Sequence, residues 1–492
     1  MTMGAVPWWH AARRPHAIAV VHGEDALTWE DLARRAARKA RALQTFGVRH
    51  NDRVSIVLPN GNAFFEAVYA AWMLGATPNP LNPRAPPQEL SAILELARPA
   101  AIIGGDAHLL PASAVLPQDW ADRGDGDAPL PELAADYWKL IASGGSTGRP
   151  KLILSRAPAT VDPDVYDLFD PYPHARRLGR TDGVMANPGP LYHNGPFAIS
   201  LINMLAGSTI VGLTRFDPEE TLRQIEKHRV ELIYLVPTMM YRIGKLPRSL
   251  REQYDLSSLR GVLHTAAACP AWLKQQWIEW LGAERIWETY GSTEAMANTI
   301  ISGTEWLEHR GSVGRFYRGR GRVLDADGHA VPPGEVGELW FLPVGGPGST
   351  YEYIGAERHS REGWESIGDL GSMDAEGYLY IADRRSDLIL RGGVSIYPAE
   401  IEAVIASHPD VAGCAVIGLP DEDLGERVHA IVNIQSGRPP AAVTTELMAF
   451  LKDRLSHYKL PASIEIVAEN LRDDAGKLRR SALRAERVGD RA

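Results

Sequence analysis

Ser143-Gly144-Gly145-Ser146-Thr147-Gly148-Arg149-Pro150-Lys151 decides the fold of this chain. Three glycines and three hydroxyl residues end in one lysine, a composition that can wrap backbone N–H groups around phosphate oxygens and set an ammonium beside them. Tyr137-Trp138-Lys139-Leu140-Ile141 before it and Lys151-Leu152-Ile153-Leu154 after it are apolar, and both predict strands. The stretch is therefore a loop between two strands. That placement excludes a Walker A loop, which needs Gly-Lys-Ser/Thr running into a helix. Here the lysine follows Arg149-Pro150, no hydroxyl follows it, and Pro158 closes the run. Without further motifs, such a stretch would be only a surface hairpin.

Working outward, the 492 residues suit a large domain and a smaller one. A hydrophobic content of 45% with 23% charged residues is that of an ordinary globular enzyme. The net charge of −9 argues against a nucleic-acid partner. Cys269 and Cys414, the two cysteines, have no metal-ligand spacing and form no disulfide framework, which points to a reducing, cytoplasmic setting. The N-terminus lacks a secretory pattern, and no apolar run is long enough to span a membrane. Nine lysines stand against 43 arginines, so a lysine inside a motif is informative.

The predicted elements alternate. A helix over 28–47 has Leu32, Ala36, Ala40 and Leu43 on one face; strand 53–58, helix 63–75 and strand 100–103 follow. Strand 208–211, helix 218–229, strand 232–236 and helix 271–281 repeat the pattern, indicating an α/β domain with a largely parallel sheet. Segments 104–134 and 156–180 read as loop excursions. Residues 311–384 carry turns between short strand-like runs and read as a β-rich subdomain. A small α+β unit follows: strand 387–391, helix 398–406, strands 413–418 and 428–434, helix 443–455 and strand 463–467. The expected division is a large N-terminal α/β domain, 1–385, and a small mobile C-terminal α+β domain, 387–492.

Five further segments carry chemistry. They are Tyr290-Gly291-Ser292-Thr293-Glu294, Ile367-Gly368-Asp369-Leu370, Asp383-Arg384-Arg385-Ser386-Asp387 running to Arg391-Gly392-Gly393, Asp473-Asp474-Ala475-Gly476-Lys477, and Pro188-Gly189-Pro190-Leu191-Tyr192-His193-Asn194-Gly195. An aromatic face suits a flat base, and a hard carboxylate suits Mg²⁺. Alone, the first would be a surface turn with a helix starting at Ser292 or Thr293. Taken with the glycine stretch and in this order, from about Trp29 to Arg484, they resemble the adenylate-forming superfamily: acyl-CoA synthetases, adenylation domains of peptide synthetases, and firefly-type luciferases.

The resemblance implies a set of roles. ATP or AMP is contacted by Ser143, Gly144, Gly145, Ser146, Thr147, Gly148 and Lys151, by Ala266 and Ala267, by Glu288 through Thr293, and by Asp369, Arg384 and Lys477. Tyr290 stacks on adenine, Asp369 accepts from the ribose, and Glu294 with Thr147 faces Mg²⁺. Lys477 is the C-terminal catalytic lysine, with Glu294 and His193 the other catalytic candidates; His193 is a gate that need not act as a base. His193, Phe197, Tyr234, Val236, His264, Gly291 and Ala295 line the acyl pocket. Gly392 and Gly393 line a thiol tunnel. Ser386 is the hinge, where many relatives carry Asp or Lys.

The implied reaction joins a small, hydrophobic carboxylic acid to AMP with release of pyrophosphate, then passes the acyl group to the thiol of coenzyme A. An amine acceptor or a carrier-protein thiol remains open, because the motifs around Ser143 and Tyr290 serve each. A monomer or homodimer is expected.

Overall fold

Trp29–Phe46 is helical because Leu32, Ala36, Ala40 and Leu43 recur at helical spacing and are all fully buried. A capping box starts it: Thr28 Oγ1 accepts from the Asp31 N–H at 3.0 Å, and Asp31 Oδ2 accepts from the Thr28 N–H at 3.2 Å. Gly47, at φ 111°, ends it. Helix Asn62–Met73 is apolar on nearly every face and is buried throughout most of its length. These observations come from a computed structural model that describes residues 1–105, 116, 125–144, 150–162, 183–391, 394–434, 438–473 and 476–489. Much of the two expected loop excursions lies outside the described residues, as do Gly145, Ser146, Thr147, Gly148, Gly392 and Gly393.

A 15-stranded sheet forms the spine. Strands Ile18–His22, Thr209–Gly212, Val184–Asn187, Leu232–Leu235, Gly261–His264 and Ile286–Tyr290 lie side by side in parallel. The sheet then turns antiparallel at Asn298–Ser302, paired Tyr290 to Thr299, and continues through Ser312–Arg318. The β-rich segment is thus an extension of the main sheet, joined where Ser312–Arg318 meets Leu379–Arg384. A second, three-stranded parallel sheet puts Arg53–Val57 between Thr77–Pro80 and Ala101–Gly104. Its two strand prolines, Pro78 and Pro80, sit on an edge strand, where a missing N–H costs no ladder bond.

The glycine stretch joins two strands as expected. Leu140–Gly144 pairs antiparallel with Pro150–Ser155, placing Ser143 opposite Lys151 and Gly144 opposite Pro150. Tyr351–Ile354 adds a third strand on the far side of Pro150–Ser155.

The C-terminal region has its own core. Ile389, Ile396, Ile401, Val416, Val428, Leu447 and Leu451 are fully buried together, apart from the large N-terminal cluster. Each contributes about 1.5–3 kcal/mol of burial. Two elements were not legible: strand Val394–Ile396 and helix Arg480–Gly489. This lobe docks on the large one. Lys245 Nζ donates to the Pro409 carbonyl at 3.5 Å, the Tyr241 hydroxyl donates to the Val411 carbonyl, and Arg479 pairs with Glu89 at 3.7 Å.

Candidate active site

Side chains at the carboxyl ends of parallel strands open toward loops, and ligands bind there. In this chain the loops after Val184–Asn187, Leu232–Leu235, Gly261–His264 and Ile286–Tyr290 surround a cavity of about 1630 Å³. Such a volume exceeds a typical single-ligand pocket of roughly 300–1,000 Å³. Ser143, Pro150 and Lys151, on the strands that flank the glycine stretch, form another wall, and the C-terminal lobe closes the top.

At one end, three residues from separate segments form a chain. Tyr290 Oη donates to Asp369 Oδ2 at 2.5 Å, and Arg384 Nε pairs with Asp369 Oδ1 at 3.2 Å. Asp369 and Arg384 are register partners on adjacent antiparallel strands, so the sheet itself holds this pair. Burial pushes the Asp369 carboxyl up, and Arg384 opposes that shift. Burial likewise raises the Tyr290 phenol, with Asp369 adding to it, so Tyr290 stays a neutral donor.

Next to this chain, Glu294 is buried, accepts from Tyr353 Oη at 2.6 Å and faces Lys151 Nζ at 3.5 Å. Lys151 also lies over the Tyr353 ring, 4.0 Å from its centroid. A buried carboxylate beside an ammonium is a site where Mg²⁺ and phosphate oxygens can take over the two charges. Ser292 and Thr293 start no helix. The segment 291–297 is a loop that returns directly into Asn298–Ser302, because Tyr290 and Thr299 are already paired. Gly291 passes so close to Asn298 that a Cβ would collide with its amide. Ala295 (φ 53°) and Ala266 (φ 77°), both on the cavity wall, hold the left-handed conformation that alanine rarely adopts.

Lys477 reaches the same cavity from the other lobe. Its loop is a tight turn: the Lys477 N–H donates to Asp473 Oδ1 at 2.9 Å, and Gly476, at φ 75°, donates to the Asp473 carbonyl at 2.9 Å. A Cβ at Gly476 would stand 2.7 Å from Thr238 Oγ1, so glycine is what allows the turn to seat on the large lobe. Lys477 is solvent-exposed within the open cavity, while the walls around it, then Arg384, lower its pKa. Arg480, three residues on, is clamped by Asp387 at 2.7 Å and Glu402 at 2.7 Å, with Asp383 at 3.8 Å. It ties the lysine turn to the segment that holds Ser386. Ser386 itself is exposed, in the 3₁₀ turn Arg385–Asp387.

Among the expected acyl-pocket residues, His193, Tyr234, Val236, Gly291 and Ala295 line the cavity, as do Ala266, Ala267, Glu288 and Thr289 of the nucleotide set. Two residues do not. Phe197 is fully buried, with its ring 6.2 Å from Phe64 and 6.1 Å from Trp138. Helix Asn194–Leu205 turns Phe197, Leu201 and Met204 to the core, while Gly195, Ala198, Ile199 and Ile202 face the cavity at helical spacing. His264 is also fully buried. It lies beside Glu288, 3.9 Å from Nδ1 to Oε1, under the pair Lys274–Glu288 at 2.7 Å. Neither of its ring nitrogens reaches a hydrogen-bond partner among the described residues, and burial lowers its pKa to about 4.

Tyr353, Lys274, Arg480 and Lys139 were missed from sequence. Lys139 had a signal: one of only nine lysines, set within an apolar strand pattern. The others sit on unremarkable strands and helices, and their roles come from long-range pairing.

Residues 7–354 match the AMP-binding enzyme family, and residues 400–477 match the C-terminal domain of AMP-binding enzymes. A feruloyl-CoA synthase from Amycolatopsis is 33% identical, with 98% of each chain covered. The o-succinylbenzoate CoA synthetase of Bacillus subtilis, solved with its acyl-adenylate intermediate, superposes with a TM-score of 0.81 at 26% identity over 97% of each chain. The same enzyme solved with ATP and a magnesium ion gives a TM-score of 0.81 at 25% identity, over 97% of this chain and 98% of that one. With both parts matched in order over nearly its whole length, this chain belongs to the AMP-binding enzymes of the adenylate-forming superfamily.

Proposed function

We propose that the chain is an ATP-dependent carboxylic acid ligase that makes an acyl-adenylate and then an acyl-CoA thioester. One observation carries this reading: Lys477 of the small lobe and the Tyr290–Asp369–Arg384 and Lys151–Glu294 groups of the large lobe face a single cavity.

A carboxylate oxygen attacks the α-phosphorus of ATP, the bond from that phosphorus to the bridging oxygen breaks, and pyrophosphate leaves. The difficulty is electrostatic, since an anion must approach a polyanion. Fixed positive charge supplies the largest help in such a step. Lys477 stands between acid and α-phosphate, and Lys151 with the hairpin amides holds the terminal phosphates. Glu294, with Thr147, would hold Mg²⁺, which when bound neutralises phosphate charge. Tyr290 offers its ring to adenine, and Asp369 accepts from the ribose.

The CoA thiolate then attacks the acyl carbon and AMP leaves. The observed docking, with Lys477 turned in, suits the first step. The hairpin of Ile389–Arg391 and Val394–Ile396, which flanks Gly392 and Gly393, is absent from the cavity wall, and Leu390 and Val394 stand exposed on it. Rotation of residues 387–492 about Ser386 would withdraw Lys477 and bring this hairpin in. The separate C-terminal core supports a lobe that moves as a unit. The acid is hydrophobic in its bulk, since Val236, Met239, Ile199 and Ile202 line its end of the cavity. No helix among the described residues is long and apolar enough to cross a membrane. The cytoplasm, which supplies ATP and CoA, is the proposed place of action.

The test is pyrophosphate release across a panel of acids with ATP and Mg²⁺, followed by CoA or a simple amine as acceptor. Thioester is the expected product. Amide alone would reassign the acceptor, and no acid-dependent pyrophosphate from any acid would overturn the reading.

A further inference from the structure

Lys139 precedes the strand Leu140–Gly144 and is 5% exposed, yet its side chain lines the cavity. Its Nζ donates to Asn194 Oδ1 and lies 4.5 Å from the centroid of the Trp138 ring. Both are neutral partners. Among the described residues no carboxylate forms an ion pair with it; Glu294 is the acid whose field reaches it. Burial drives its pKa down to about 7. A buried ammonium with no counter-charge is costly, and a well-packed apolar side chain there would cost less.

The surroundings say what would complete it. Asn194 opens the helix whose Ile199 and Ile202 form an apolar wall, and the Tyr234 hydroxyl abuts Gly195, where a Cβ would collide with it. Around Lys139 the cavity wall thus combines the apolar Ile199 and Ile202 with the polar groups of Asn194, Tyr234 and His193.

We propose that Lys139 and Asn194 form a specificity site for an acid bearing a second anionic group, a carboxylate or an ionised phenol, on an otherwise hydrophobic body. The inference rests on the acid-ligase reading of the same cavity. Its physical basis is that the ligand's anion supplies the counter-charge that the protein withholds, so the cost of burying Lys139 is recovered only when such an acid binds.

The experiment uses matched pairs of aromatic and alkyl acids, each with and without a distal carboxylate or phenol. Pyrophosphate release gives kcat/KM, and calorimetric binding of the corresponding acyl-sulfamoyl adenosines gives affinity without turnover. The wild type is expected to favour the anionic member tenfold or more, through KM. In Lys139→Met the ratio should fall to near one in both measurements. Asn194→Asp keeps the lysine but gives it an internal carboxylate, and should abolish the preference too, so the test survives if Lys139→Met does not fold. An unchanged ratio in a folded variant overturns the proposal. So does an equal loss on both members of each pair, which would mean that Lys139 acts on the carboxylate they share. Failure of every acid with the wild type would instead break the ligase reading itself.

Discussion

The two ends of the cavity handle charge in opposite ways. At the proposed nucleotide end three cations are answered from within the protein: Arg384 by Asp369 at 3.2 Å, Lys151 by Glu294 at 3.5 Å, and Lys274 by Glu288 at 2.7 Å. At the acyl end a single ammonium, Lys139, has a neutral amide for a partner. The first end can be assembled before any ligand arrives, and binding exchanges one set of counter-charges for another. The second end is left unbalanced, so it discriminates by which ligand balances it. Preorganisation serves catalysis at one end and selectivity at the other.

The largest expected effect concerns Lys477. Lys477→Ala should lower the rate of acid-dependent pyrophosphate release by about 10²–10³-fold, the usual loss for one preorganised donor. Conversion of preformed acyl-adenylate to thioester should persist. Equal loss of both half-reactions would remove the distinction between the docked lysine and the proposed thiol geometry.

Phe197→Ala separates packing from recognition. With Phe197 between Phe64 and Trp138, the substitution should cost about 3–5 kcal/mol in urea unfolding while leaving the ranking of acids intact. A changed ranking with little loss of stability would return Phe197 to the pocket wall.

Asp369→Asn removes the charge between Tyr290 and Arg384. The KM for ATP should rise by about tenfold, corresponding to roughly 1.4 kcal/mol for a charged hydrogen bond, and the KM for the acid should change little. If both constants rise together, the two ends are not separable.

A last effect, on stability rather than on activity, appears in acid. His10 and His264 are buried neutral, each with a pKa lowered to about 4 chiefly by burial, against 6.5 when exposed. As pH falls the unfolded chain takes up their protons first. Their contribution is thus complete above pH 6.5 and lost as pH falls from 6.5 toward 4. Between pH 7 and pH 5 each should cost on the order of 2 kcal/mol. His264→Leu should show a shallower loss of stability over that interval, measured by thermal or urea unfolding.

Much of the proposed nucleotide end was legible because its residues sit in short local motifs. Ser143 to Lys151, Tyr290 to Glu294, Gly368-Asp369 and Gly476-Lys477 each place a functional group beside the turn that positions it. The acyl end was less so. Phe197 and Ile199 are two residues apart in one apolar run, and which of them faces a cavity depends on how the helix Asn194–Leu205 is rotated on the sheet. His264 ends a strand as a pocket residue might, but its side chain falls under Glu288 and Lys274.

Composition, strand–helix alternation and local motifs were enough to determine the two-part α/β architecture, the strand–loop–strand form of the glycine stretch and the family. These depend on backbone periodicity and turn chemistry, which are encoded over a few neighbouring residues. Only the tertiary structure decided that Asp369 and Arg384 are register partners, that Gly476 lets the Lys477 turn seat against Thr238, and that Lys139 is buried with no carboxylate bound to it among the described residues. Each of those is a distance between segments far apart in the chain, fixed by packing and sheet register, and no local pattern carries it.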